Sequence, residues 1–213
     1  MNRILRSLFF NVIVRSVVLV GLGLNVRHRE RLPRKGPAIV IANHNSHLDT
    51  MVLMNLLPRK LLPNVQPVAA MDYFLRSPVR AWFALRIIGI LPLKRNRREK
   101  GEDPLEPVDK ALEAGRLLIF FPEGSRGEPE QMSGFRKGIA HLAERHPDVP
   151  VVPVYLHGLG KALPKGKVLF VPFFCDIFVG DQLPWTGDKH SYMQQLDEVM
   201  HALADEGKFS AWE

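Results

Sequence analysis

Residues 37–50 read "PAIVIANHNSHLDT": a run of apolar residues with no polar break, then a cluster of hydrogen-bonding side chains. A strand without alternation is buried on both faces, as inside a parallel sheet with helices above and below. "HLDTMVLMNLL" (47–57) then reads as a helix, expected to stop before Pro58. Strand, polar turn, helix is the unit of an α/β fold, and the rest of the chain repeats it. "RLLIFF" (116–121) is another unbroken apolar strand and "VPVVPVYLHG" (149–158) another extended run. "QPVAAM" (66–71) and "ILPL" (90–93) read as shorter strands, and "KVLFVPFFCDIFVG" (167–180) as one or two more. Helices are expected over 77–89, over 107–115 closed by Gly115, and over 135–146. A last one, about 188–206, places Tyr192, Met193, Leu196, Val199, Met200 and Leu203 on one face. The class predicted is α/β, with a mostly parallel central sheet flanked by helices. Pro153 lacks the N–H a ladder needs, so an edge or a bulge is expected there.

Upstream the character changes. "ILRSLFFNVIVRSVVLVGLGL" (4–24) is long enough to span a bilayer, but Arg6, Asn11 and Arg15 interrupt it. A central arginine costs roughly 2.5–3.5 kcal/mol on insertion scales, which disfavours a simple spanning helix. No small-residue cleavage site follows, so a signal peptide fits poorly. The expectation is a helix lying in the membrane interface, its arginines reaching head groups; the competing reading is a helix packed on the domain. The basic connector "RHRERLPRKG" (27–36) follows. The expected organisation is a membrane-associated helix and connector over 1–30 and one domain over 31–213.

The formal charge of +7 and pI of about 9.8 point to anionic partners: nucleic acid, anionic head groups or phosphorylated small molecules. No RNA-binding pattern of interleaved aromatic and basic residues is present, so nucleic acid is not expected as a partner. Cys175 is the only cysteine and sits among large apolar neighbours, which reads as an inert buried thiol.

Ligands of open α/β sheets bind beyond the carboxyl ends of the strands. Two polar turns sit there: the quoted one, and "FPEGSRG" (121–127) after the 116–121 strand. Ser46 and Asp49 are spaced as a helix capping box, which leaves Asn43, His44 and Asn45 unexplained. His44, His47 and Asp49 do not share one helical face, so no metal is expected. His44 with Asp49 has the spacing of an imidazole and its orienting carboxylate, a pair able to take a proton from a hydroxyl. The G-x-S-x-G elbow that a serine hydrolase would need is absent.

Four blocks occur in order: "NHNSHLD" with His44 and Asp49, "GILPLKR" from Gly89 to Arg95, "FPEGSR" from Phe121 to Arg126, and "VVPVYL". Together they resemble the glycerolipid acyltransferase family, typified by 1-acylglycerol-3-phosphate acyltransferases; the second block departs only in Pro92, where phenylalanine is usual. The resemblance implies His44 as general base, Asp49 as its orienter, and Arg95, Glu123, Gly124 and Arg126 as the acceptor site. Lys137, in "FRKG", is a further phosphate candidate. The implied reaction moves a fatty-acyl group from a thioester, acyl-CoA or acyl carrier protein, to a lysophospholipid hydroxyl. 1-Acylglycerol-3-phosphate, giving phosphatidate, is the first acceptor to expect; no cofactor is implied. The alternatives are another lysolipid, a lipid amine or alcohol as acceptor, or a non-catalytic lipid-binding module. Membrane lipids are the expected surroundings, with the protein on the cytoplasmic face. The basic loop 94–100 is suited to clamp the donor's nucleotide phosphates or rest on anionic lipid, while a solvated charge run is the default reading for its outer members.

Overall fold

Continuous apolar runs form buried strands where both faces are covered. The computed structural model describes residues 3–74, 77–94, 103–128, 131–163 and 171–209. Among these, the strands are Leu22–Arg27 (β1), Ala38–Ala42 (β2), Val65–Ala70 (β3), Leu91–Leu93 (β4), Leu117–Phe120 (β5), Val151–His157 (β6) and Phe173–Val179 (β7). They make one seven-stranded sheet in the order β1-β7-β6-β2-β5-β3-β4. β6, β2, β5, β3 and β4 run parallel; β7 is antiparallel to β6, and β1 runs parallel to β7. The helices are Arg3–Leu8 (α1), Leu48–Leu56 (α2), Met71–Phe74 (α3), Pro78–Phe83 (α4), Glu106–Glu113 (α5), Gly138–Arg145 (α6), Leu159–Ala162 (α7) and Lys189–Glu206 (α8). The expected α/β class and mostly parallel sheet are what the chain adopts.

β2 shows why its run is unbroken. Ala38, Val40 and Ala42 enter one core with α2 and the N-terminal segment, while Ile39 and Ile41 enter another with α5, α6 and α8. Tyr192, Leu196, Met200 and Leu203 bury the inner face of α8, whose start is capped by the Asp188 carboxylate on the Ser191 N–H at 2.7 Å.

Pro153 does not mark an edge, because β6 is paired on both sides. It marks a bulge. Between the pairs Val154–Val179 and Val151–Leu183, β6 has two residues and the opposing chain has three. The Gly180 N–H donates to the Pro153 carbonyl at 2.8 Å, and a side chain at 180 would sit 2.8 Å from the proline ring.

The N-terminal segment differs from the single helix expected over 4–24. α1 is followed by wider, π-helical turns over Phe9–Val14 and Val17–Gly21, and Leu22–Arg27 is a strand. The sheet therefore reaches back across the expected boundary at residue 30. Arg6, Phe10, Val14, Val18 and Leu22 are buried, one at every fourth position. An α-helix would rotate such a stripe by about 40° at each step, and the wider turns offset that drift. Arg6 donates to the Val65 carbonyl at 2.8 Å; burial, with Arg116 adding, lowers its pKa to about 10, so it stays charged at neutral pH. Ile4, Leu8, Val12, Ile13 and Val20 are exposed on the other side, where Ser7, Asn11 and Ser16 lie among them. One face thus packs on the domain, as in the second of the two readings, and the other is left exposed. Among the described residues no helix is long and apolar enough to cross a membrane.

Candidate active site

β2 and β5 are neighbours, so the turns after them meet. The His44 N–H donates to Glu123 Oε1 at 2.9 Å, and the Gly127 N–H to the His44 carbonyl at 2.9 Å. Asn43, fully buried, anchors the first turn to β6 by donating to the Leu156 carbonyl at 2.8 Å and accepting from the Leu156 N–H at 2.7 Å. Its amide copies the bonding of a strand residue one step beyond the end of β2. Ser46 Oγ donates to the Leu163 carbonyl at 2.9 Å and accepts from the Leu48 N–H at 3.2 Å.

His44 Nδ1 lies 2.9 Å from Asp49 Oδ2, and the Asn45 and Ser46 N–H groups each reach the same oxygen at 2.8 Å. Three donors fix the position of a carboxylate that is only 1% exposed. The Ser46 contact is the capping-box bond foreseen from spacing, so Asp49 is cap and orienter at once. The His44 ring stacks on Phe121, with centroids 4.0 Å apart and planes at 20°. With its Nδ1–H donated to Asp49, the neutral imidazole carries its basic lone pair on Nε2. The backbone N–H groups of residues 44–46 all bond carboxylates.

Glu123 is buried, and both carboxylate oxygens are engaged inside the protein: Oε1 by the His44 N–H and Oε2 by Ser133 Oγ at 2.5 Å. Burial pushes its carboxyl above the usual range, opposed by the bonds from Ser133 and His44. Gly124 has φ 76°, and a Cβ there would lie 2.7 Å from Arg136 Nε. That space lets Arg136 cross the loop and donate to the Glu123 carbonyl at 3.2 Å. Arg126, half-buried, donates to the Tyr73 hydroxyl at 3.4 Å, its guanidinium carbon 5.6 Å from the ring centroid. Lys137 is exposed at the N-terminus of α6. Arg95 and most of the basic loop lie outside the described residues. Sequence reasoning missed Arg136 and Ser133, which lie in or beside the "FRKG" stretch, and it passed over Tyr73, which no motif marks.

His47 bonds Tyr73 at 3.2 Å through Nε2. Desolvation, then the charge of Arg126, with His44 and Arg80 adding, lowers its pKa to about 4. Between that value and the ordinary histidine one, the unfolded chain binds the proton and the folded chain does not. Stability is therefore full above the ordinary value and falls as pH drops toward about 4. His47→Gln is expected to shrink the stability difference between about pH 5 and pH 7 in urea melts. Among the described residues no group of three His, Cys, Asp or Glu side chains is placed to hold a metal ion.

The sequence pattern of the family described as Acyltransferase matches residues 23–157. The chain belongs to the Acyltransferase family. Within this acyltransferase family it is 32% identical over 145 residues to "1-acyl-sn-glycerol-3-phosphate acyltransferase LPAT1, chloroplastic" of Arabidopsis thaliana, covering 68% of this chain and 38% of that protein. It is 27% identical over 187 residues to "1-acyl-sn-glycerol-3-phosphate acyltransferase alpha" of Bos taurus, covering 87% of this chain and 63% of the relative. The chain thus spans less than two thirds of these acyltransferases' own length. Its fold matches the crystal structure of the 1-acyl-sn-glycerophosphate (LPA) acyltransferase PlsC from Thermotoga maritima, with TM-score 0.74, 21% identity, and coverage of 97% of this chain and 80% of that one.

Proposed function

We propose that this chain transfers a fatty-acyl group from an acyl thioester to the hydroxyl of a lysophospholipid, and that 1-acylglycerol-3-phosphate, giving phosphatidate, is its principal acceptor. The carrying observation is the His44–Asp49 pair, built into the turn beyond β2 and latched to the arginine-bearing turn beyond β5. His44 Nε2 takes the hydroxyl proton as the acceptor oxygen attacks the thioester carbonyl. Asp49 stabilises the imidazolium. When the tetrahedral intermediate collapses, the C–S bond breaks and the imidazolium returns the proton to the leaving thiolate. Arg126, whose planar fork suits a phosphate, binds the acceptor, with Arg95 as second arginine and Arg136 and Lys137 on the adjoining loop. The donor is acyl-CoA or acyl carrier protein, and the chemistry needs no further cofactor. The names of the plant and bovine relatives support the choice of acceptor.

The reaction is placed at a membrane surface, on the cytoplasmic face. The support is the exposed apolar residues of the N-terminal segment, together with Val79 and Trp82 on α4, 76% and 51% exposed, and a chain of net charge +7. The 3–21 segment offers a paired test. Ile13 is exposed and its neighbour Val14 is buried. Ile13→Asp should leave the thermal melt unchanged and move protein from liposome pellet to supernatant. Val14→Asp should lower the melt, because it buries a charge in the core.

The acceptor assignment is tested by incubating the protein in liposomes with labelled oleoyl thioester and a panel of lysolipids and lipid alcohols. Labelled phosphatidate is expected. Product from another acceptor alone would move the assignment there, and vesicle binding without any product would leave a lipid-binding module.

A further inference from the structure

Tyr73 lies outside the four sequence blocks, on α3, the short helix that follows β3. Its hydroxyl is 3.2 Å from His47 Nε2 and 3.4 Å from Arg126 Nη2, and its ring lies under the Arg126 guanidinium. Phe74 packs edge-on against that ring, centroids 5.0 Å apart at 83°. One side chain thus offers Arg126 both an acceptor oxygen and an aromatic face.

The proton count orders the contacts. A guanidinium only donates, so toward Arg126 the phenol oxygen accepts. The one phenol hydrogen then goes to His47 Nε2, which must present a lone pair and carry its proton on Nδ1. The depressed basicity of His47 described above is in keeping with that form. The links therefore run Arg126 to Tyr73 to His47, and His47 is two residues from the orienting Asp49 on the same turn.

We infer that Tyr73 is a positioning residue for the acceptor's phosphate, its hydroxyl aimed by His47 so that it holds the Arg126 guanidinium where the phosphate binds. The inference rests on the reading of Arg126 as a phosphate ligand given under the proposed function. A long arginine on a loop samples many rotamers, and a preset one loses less freedom on binding. Without the hydroxyl, one of the contacts that order the fork before binding is lost.

The experiment measures steady-state kinetics with 1-oleoylglycerol 3-phosphate in mixed micelles as acceptor and oleoyl-CoA as donor. Tyr73→Phe keeps the ring and is expected to raise the acceptor KM about three- to tenfold, with kcat and donor KM within about twofold of wild type. In an Arg126→Ala background the same change should shift acceptor KM less than about twofold, because the hydroxyl then has nothing to hold. His47→Leu, which removes the anchor, should raise acceptor KM in the same direction and serves if Tyr73→Phe folds poorly. An unchanged acceptor KM in Tyr73→Phe, or effects that add fully in the double variant, would overturn the inference. Two failures are distinguishable. If Arg126→Ala raises acceptor KM and Tyr73→Phe does not, this inference alone falls; if Arg126→Ala leaves it unchanged, the reading of Arg126 falls and takes this one with it.

Discussion

His44→Ala is expected to lower kcat by about 10²–10⁴-fold while the protein still melts cooperatively near the wild-type temperature. The loss is that of a positioned base, since no other imidazole bonds Asp49. The fold should survive because the His44 side chain is 19% exposed, and Asp49 keeps the Asn45 and Ser46 N–H donors after the ring is gone. The backbone ties of residue 44 to Glu123 and Gly127 do not depend on its side chain. Single-turnover thioester consumption, read beside a thermal melt, separates chemistry from folding. A folded variant that consumes thioester at the wild-type rate removes His44 from the mechanism.

Arg126→Ala should raise the acceptor KM about ten- to a hundredfold and leave the donor KM nearly unchanged, on the scale of one lost charge-assisted hydrogen bond. Arg126→Lys should recover only part of this, because a point charge cannot present two parallel N–H groups and does not stack on Tyr73 as a planar cation does. Initial rates at varied acceptor and fixed donor, then the reverse, give both constants. Lost donor affinity with an unchanged acceptor KM would mean that the "FPEGSR" loop grips the thioester's nucleotide.

The strand, turn and helix over 37–57 were legible in the sequence because each is a local pattern: an unbroken apolar run, a cluster of polar residues, and a capped helical repeat. The His44–Asp49 pair was legible for the same reason, since its members share one turn. β1 was not, because its apolar residues follow the N-terminal helix without a polar break and only Gly21 separates them. The reversed direction of β7 leaves no trace in an apolar run. Pro153 announced a disruption but not its place, for an interior strand tolerates proline when the partner chain bulges past it. Whether Arg136 or Lys137 turns toward the "FPEGSR" loop depends on where α6 begins, and neighbouring cations do not reveal that. The Glu123 carboxylate was marked by its motif, yet its hold on the His44 N–H appears only when the two turns are seen side by side.

In the proposed mechanism four residues lie between the base and its orienter, whereas Arg126 and Tyr73 come from two other segments of the chain. On the proposed roles, reactivity is inherited from one short turn, and selectivity from an assembly of loops. On the same roles, a lineage can change residues 71–74 and 126 to take a different head group, provided that Gly127 and Ser133, which tie down His44 and Glu123, are kept. Laboratory selection for new acceptors should find its productive substitutions at 71–74 and 126, and lethal ones at 44 and 49.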